Sequence, residues 1–387
     1  MVGILSMACA LSTPTQAPAT AIPSASPAAS QTSLPPTTLP PATATAAPSQ
    51  TSPAPTQTSP APTQPAANTN TPIVPTATTG PGVPPNYLDD RSTATGLIQS
   101  YFNAINLKQY LRAYSYWESN SQVGPFDKFQ QGYQDTASVQ ITLGAISGDR
   151  GAGQYYYTVP VALVAQTTGG KTQTFAACYT LHLGSPEIQA APPFHPLAIA
   201  TGVAKAATNG TKPKDLLAHA CDGVPQGAPI VPTPKTKTQD ITSANYLDDR
   251  SGPVEVLSSL FNAINRKEYV RAYSYWENAG TSKNVPPFVQ FQQGYAATAS
   301  VQLTTGPVSS NAGAGQIYYT IPAVLIAQTT GGATQIFSAC YILHLSRPEI
   351  QGVPPFQPLA IQSATARLVS NSSDPNKLLA QACANQP

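Results

Sequence analysis

Charge is scarce in this chain: Lys, Arg, Asp and Glu make up 9% of its 387 residues, and neither they nor His occur before Asp89. The 19 basic residues are scattered against 17 acidic ones. Nucleic-acid binding requires clustered Lys and Arg that displace counterions, so DNA and RNA are excluded as partners. No apolar run is long enough to span a membrane. Nucleophile elbows, phosphate-cradling glycine loops and the Cys and His spacings of zinc sites are missing as well. Neither a cofactor nor a metal is expected.

What the first 85 residues do have is proline, 19 of the 41 in the chain, set among Ala, Thr, Ser and Gln. Such a composition cannot bury enough apolar surface to offset chain entropy, and proline favours extended polyproline-II structure. Residues 10–85 therefore read as a disordered, semi-rigid stalk, with Ser and Thr suited to O-glycosylation. Ahead of it, Cys9 in MVGILSMACA resembles the cleavage region of a bacterial lipoprotein signal. That resemblance implies lipidation of Cys9, with residues 1–9 as a truncated signal region, since eight residues before a Cys are too few for an ordinary apolar signal core.

Beyond the stalk the chain repeats itself. FNAINLKQYLRAYSYWE, Phe102 to Glu118, returns as FNAINRKEYVRAYSYWE, Phe261 to Glu277, with 14 of 17 residues identical. Everything downstream recurs in the same order, which is a tandem duplication. Module 1 spans residues 86–222, a linker 223–244, and module 2 residues 245–387. Cys178 and Cys221 fall at places equivalent to Cys340 and Cys383. Four cysteines allow three connectivities, and duplication of a unit carrying its own pair selects Cys178 with Cys221 and Cys340 with Cys383.

Within module 1, Leu97, Ile98, Tyr101, Phe102 and Ile105 share one helical face, as do Val256, Leu257, Leu260, Phe261 and Ile264 in module 2. Asn106 and Asn265, three residues ahead of Gln109 and Glu268, have capping-box spacing and predict the start of a second helix. A short third helix follows Pro125 or Pro287. Alternation then predicts strands at Val139–Leu143, Gln154–Gln166 and Lys171–Leu183, the last two joined by a turn at Thr168-Gly169-Gly170, and another strand from Leu197. Pro160 and Pro322 inside the long strand predict an edge or a bulge. Lys212-Pro213 and Asp374-Pro375 begin a closing helix that carries the second Cys.

Helices followed by a curved antiparallel sheet make an α+β plan. The opening helices, LIQSYFNAINLKQYLRAYSYWE and VLSSLFNAINRKEYVRAYSYWE, with the hairpins ending in CYTLHL and CYILHL, resemble the NTF2-like superfamily, which includes ketosteroid isomerase-like and SnoaL-like enzymes. The resemblance implies two cone-shaped modules, each enclosing a pocket between helices and sheet. Its wall in module 1 would be Tyr114, Trp117, Phe129 and Tyr133, and in module 2 Tyr273, Trp276, Phe291 and Tyr295; rings of this kind equally fill a core.

Catalysis in such a pocket needs an inward acid or base. His182 and His344 stand at equivalent positions but lie on the strand face opposite Tyr179 and Leu181, with the Cys. Asp89 and Asp90 are expected to complement the first helix dipole, Glu118 to be a solvated ion-pair residue, and Arg112 and Arg271 to be its partner or an anion anchor. The sequence thus favours a noncatalytic extracellular binding protein, tethered to a bacterial surface by its lipid. Its ligand would be a small molecule, a peptide or a cell-envelope component, and pairing of the modules with each other stays open. The alternative is a secreted enzyme of isomerase, cyclase or hydratase type.

Overall fold

A computed structural model of the chain describes residues 86–119, 122–230, 240–370 and 374–384. The expected stalk, Cys9 and residues 231–239 of the linker lie outside them. The fold is mixed α+β, with two antiparallel sheets and helices ahead of each. Module 1 runs α1 (Ala94–Asn106), α2 (Tyr110–Tyr114), α3 (Phe126–Gly132), β1 (Thr136–Leu143), β2 (Ser147–Gly151), β3 (Gln154–Thr167), β4 (Thr172–Gly184), β5 (Ala198–Ala207) and α4 (Pro213–His219). A two-residue strand in the linker, β6 (Ala228–Pro229), comes next. Module 2 repeats the order as α5 (Pro253–Asn265), α6 (Tyr269–Ser274), α7 (Phe288–Gly294), β7 (Thr298–Thr305), β8 (Ser309–Gly313), β9 (Gln316–Thr329), β10 (Thr334–Ser346), β11 (Ala360–Val369) and α8 (Pro375–Ala382).

The apolar stripe of α1 packs on the sheet: Leu97, Ile98 and Ile105 are fully buried, each worth about 1.5–3 kcal/mol by area. Thr93 caps the helix, its hydroxyl accepting from Gly96 N at 2.9 Å. The far end departs from expectation. Lys108 and Lys267 adopt φ of 60° and 63°, which turns the chain, and Gln109 and Glu268 occupy the N-cap positions of the second helices. Asn106 instead clasps β1, donating to Val139 O at 2.9 Å and accepting from Val139 N at 2.7 Å; Asn265 does the same to Val301.

Each long strand is central rather than at an edge. β3 pairs along one side with β4, and along the other with β1 and then β2. Pro160 sits where the neighbour changes, after the last β1 pair at Val161 and before the first β2 pair at Thr158, so its missing N–H costs no ladder bond, and its carbonyl accepts from Gly144 N at 2.8 Å. Pro322 repeats this with Gly306.

The modules meet through equivalent residues. Asp90 and Asp249 form an antiparallel bridge, Arg91 N donating to Asp248 O and Arg250 N to Asp89 O, both at 2.7 Å. Ser251 Oγ accepts from Asp89 N at 2.9 Å, and Ser92 Oγ from Asp248 N at 2.8 Å. Gln109 donates to Glu349 at 2.7 Å, while Arg266 donates to Glu187, the counterpart of Glu349, at 3.2 Å. Residue i meets j and j meets i, which is the pattern of a two-fold symmetric dimer written into one chain. Asp89 and Asp90 serve this contact and are buried: Asp89 also accepts from the Tyr116 hydroxyl at 2.8 Å, while Asp90 accepts from Ser92 N at 2.9 Å and sets its carboxylate against Gly96 in the first turn of α1, as the helix-dipole reading expects.

Disulfides join Cys178 to Cys221 and Cys340 to Cys383, pinning the closing helices α4 and α8 to β4 and β10. They fit an oxidising, extracytoplasmic compartment. Among the described residues, no helix is long and apolar enough to cross a membrane. Each bridge closes a loop with a separation of 43 residues, for which the chain-entropy relation gives about 4 kcal/mol. Replacing Cys178 and Cys221 together by Ala should therefore lower the denaturant midpoint of module 1 and leave the Cys340–Cys383 bridge intact in non-reducing peptide maps. A midpoint unchanged from the parent would contradict this.

Candidate functional site

The ring residues converge beneath the sheet in each module. Phe129 and Tyr133 are buried in the core, with Tyr114 and Trp117 packed against it. Tyr114 meets Phe129 edge-on at 5.3 Å, and Phe129 meets Tyr133 at 5.2 Å. The Tyr114 hydroxyl donates to Gly124 O at 2.9 Å, and those of Tyr101 and Tyr133 lie 2.7 Å apart. Trp117 reaches the interior because its own backbone continues the sheet: Ile199 N donates to Tyr116 O at 2.7 Å, and Glu118 N to Ile199 O at 3.0 Å. Its indole edge lies over Gly202, where a Cβ would come within 2.8 Å of it. The buried indole Nε1 has the Tyr101 hydroxyl nearby without completing a hydrogen bond to it, and the buried Trp276 Nε1 meets no acceptor among the described residues.

Module 2 repeats the arrangement with changes, Ala364 standing where module 1 has Gly202. Tyr273, Phe291 and Tyr295 contact one another at 5.2 Å between neighbouring rings, and the Tyr273 hydroxyl donates to Pro286 O at 3.0 Å. Leu260 replaces Tyr101, so the second interior lacks the hydroxyl that meets Tyr133 in the first. Burial pushes the Tyr133 hydroxyl up to about 12, the bond from Tyr101 acting in the opposite direction, and burial raises Tyr295 to about 12 too.

Strand alternation sends Trp117 inward and Glu118 to the outer face, where it accepts from or pairs with His182 Nδ1 at 2.7 Å. His182 Nε2 lies 2.6 Å from Gln154 Oε1, and Tyr156 stacks on the imidazole at 4.7 Å and 19°. Glu277, His344, Gln316 and Tyr318 reproduce the cluster with distances of 2.7, 2.6 and 4.7 Å. Sequence reasoning put the histidines on this face and missed their carboxylate partners. The signal was present: Glu, Gln, Tyr and His recur at all four equivalent positions while the neighbouring Tyr155 becomes Ile317. Both imidazole nitrogens are engaged whichever way the glutamine amide is turned, so neither is offered to a substrate.

Arg112 and Arg271 are not partners of Glu118 or Glu277. Both are fully buried. Arg112 donates to Gln109 Oε1 at 2.7 Å, to Asn103 Oδ1 at 2.8 Å and to Leu88 O, with the Tyr87 ring 4.3 Å away. Arg271 repeats this with Asn262, Leu247 O and Tyr246, and Glu268 replaces the glutamine at 2.5 Å. Their donors are spent on the protein, which leaves them no free fork for an anion. Among the described residues, no group of His, Cys, Asp and Glu could hold a metal ion.

No known family matches the chain, and neither a curated protein nor a solved structure matches it.

Two measurements follow from these geometries. Glu268 neutralises Arg271 in a buried pair, so Glu268→Ala should cost about 3–5 kcal/mol. Glu268→Gln, which installs the pairing already used by Arg112, should cost clearly less; equal losses in urea unfolding would contradict this account. The buried tyrosines hold their protons more tightly folded than unfolded. The stability they contribute is therefore complete below about pH 10 and is lost as the pH rises through about 12. Tyrosinate absorbance and loss of the folded circular-dichroism signal should rise together in that window; tyrosinate appearing in protein that stays folded would show the rings to be accessible.

Proposed function

We propose that this chain is a noncatalytic, extracellular binding protein whose two modules are NTF2-like and are tethered to a bacterial surface through a lipid on Cys9. Each interior takes an apolar, aromatic-compatible ligand, a small molecule or part of a peptide or cell-envelope polymer, that presents one hydrogen-bond acceptor. The observation that carries the reading is the buried indole N–H of Trp276, which meets no acceptor among the described residues, and that of Trp117, which has the Tyr101 hydroxyl nearby but completes no hydrogen bond to it. A buried donor left unpaired costs about 1–3 kcal/mol, and its retention in both copies is accounted for by an acceptor that the ligand brings. Rings that bury area while offering one polar group suit holding a ligand in a fixed orientation.

The alternative, a secreted enzyme of isomerase, cyclase or hydratase type, needs an ionisable group among these rings. The ring neighbours of Tyr114, Phe129 and Tyr133, and of Tyr273, Phe291 and Tyr295, are other rings, and burial keeps the hydroxyls of Tyr133 and Tyr295 protonated at neutral pH. The acid–base pair that recurs in both modules, Glu118 with His182 and Glu277 with His344, lies on the opposite face with both ring nitrogens engaged.

Anilinonaphthalene sulfonate, which joins an apolar ring system to an acceptor group, tests the reading through its own emission. Saturable binding to folded protein is expected. Trp117→Phe and Trp276→Phe keep a ring and delete the donor, so each should weaken one class of sites by about five- to tenfold with the unfolding midpoint of its module retained. Absence of saturable binding, or binding indifferent to both substitutions, would overturn the proposal.

A further inference from the structure

The two sheets differ at one edge. In module 1, β6 pairs with β2, Pro229 opposite Ser147 and Ala228 opposite Gly148, and Ile230 N donates to Ile146 O at 2.8 Å. The Thr158 hydroxyl, on β3, donates to Pro225 O at 3.1 Å. Ile146, Ser147 and Thr158 are buried where this strap meets them. In module 2, β8 pairs with β9 alone among the described residues. The counterparts there are more open: Val308 and Thr320 are half-buried, and Ser309 is exposed. β8 also reads Ser-Ser-Asn-Ala-Gly, without the charges that Asp149 and Arg150 give β2. Charge along an edge discourages further pairing, so an uncharged edge with a free row of backbone groups is a seat for an extended segment.

The two edges are copies of one another, so the strap on β2 shows what the seat on β8 takes. We propose that β8 binds an extended segment of a second protein, of sequence Gly-Ala-Pro-Val or close to it. That segment adds to the sheet of module 2 as residues 227–230 add to the sheet of module 1.

Three positions of the segment follow from contacts in module 1. The glycine is needed because a Cβ on Gly227 would fall 2.0 Å from Gly148 O, a backbone atom that cannot step aside, and Ser310 presents the same carbonyl. Proline suits the next-to-last place because an edge strand needs ladder donors from alternate residues only, and here the donor is Ile230 N. The last residue is set by Ser310, which stands where module 1 has Gly148. A Cβ at Gly148 would come within 2.4 Å of the Ile230 δ-methyl and 3.3 Å of its γ-methylene. Valine has no δ-carbon, so it keeps the apolar contact and avoids the overlap.

Ile146 O faces β6, so by strand alternation Gly148 N does too, and Ser310 N is its counterpart on the open edge. Hydrogen exchange on the full chain therefore tests the proposal at the Ser310 amide, with Gly148 as the internal reference. The probe is a capped synthetic peptide, Val-Pro-Gln-Gly-Ala-Pro-Val, which copies residues 224–230 with Val in the last place. Without it Ser310 should exchange rapidly; at about ten times its Kd the peptide should slow that exchange about tenfold and leave Gly148 unchanged. The same peptide ending in Ile should bind about fivefold more weakly, and Ser310→Gly should abolish that difference. Replacing the peptide glycine by Ala should remove binding. Failure of the peptide to protect Ser310, or binding indifferent to these changes, would overturn the proposal. So would a Ser310 amide already protected without peptide, which would mean that this chain or a second copy of it covers the edge.

Discussion

A guanidinium buried to zero exposure is what the rest of each module hangs on. Arg112 cannot shed its proton, so folding must supply acceptors in a fixed fork. They come from α1 through Asn103, from the start of α2 through Gln109, and from the incoming chain through Leu88 O. One side chain therefore fixes the angle between two helices and the path of the residues just ahead of them. That path is the one that exchanges backbone bonds with the other module. Removing the charge would unpin three segments at once, whereas the peripheral clasp of Asn106 on Val139 ties only two.

The interior and the outer face divide the chemistry. Tyr and Trp line the inside, where alternation along the segment after α2 sends Trp117, while the next residue turns outward to His182. The same two-residue step thus builds the candidate ligand wall and the Glu–His–Gln–Tyr cluster. That cluster ties the segment, β3 and β4 together through Glu118, Gln154 and His182. It holds the Trp-bearing segment against the sheet and so bears on the position of the ring inside.

Much of this was legible in sequence because it is local. Apolar spacing placed α1, alternation placed β1, β3 and β4, Pro213 placed α4, and the duplicated cysteines gave the bridges. What escaped depends on contacts between distant residues or on backbone geometry. The capping-box spacing of Asn106 was real but unused, since the positive φ of Lys108 turns the chain first and frees the amide for β1. Pro160 suggests an edge or a bulge because nothing local shows that two short strands share one side of β3. The strand β2, five residues of Ser, Gly, Asp and Arg, has no apolar alternation to reveal it. Asp89 and Asp90 carried the strongest charge signal in their segment and yet serve a contact with residues more than 150 positions away.

The reciprocal pairing of Asp90 with Asp249 has a consequence for how the protein behaves when scarce. Two separate molecules joined by so few backbone bonds would part on dilution. Here a short connection holds the partners at an effective concentration of roughly millimolar order whatever the amount of protein present. The halves are also free to drift apart in sequence, since each needs to fit only the other and not itself. Gln109 facing Glu349 while Glu268 and Arg266 face Glu187 is such a drift, an asymmetry that no dimer of identical chains could encode.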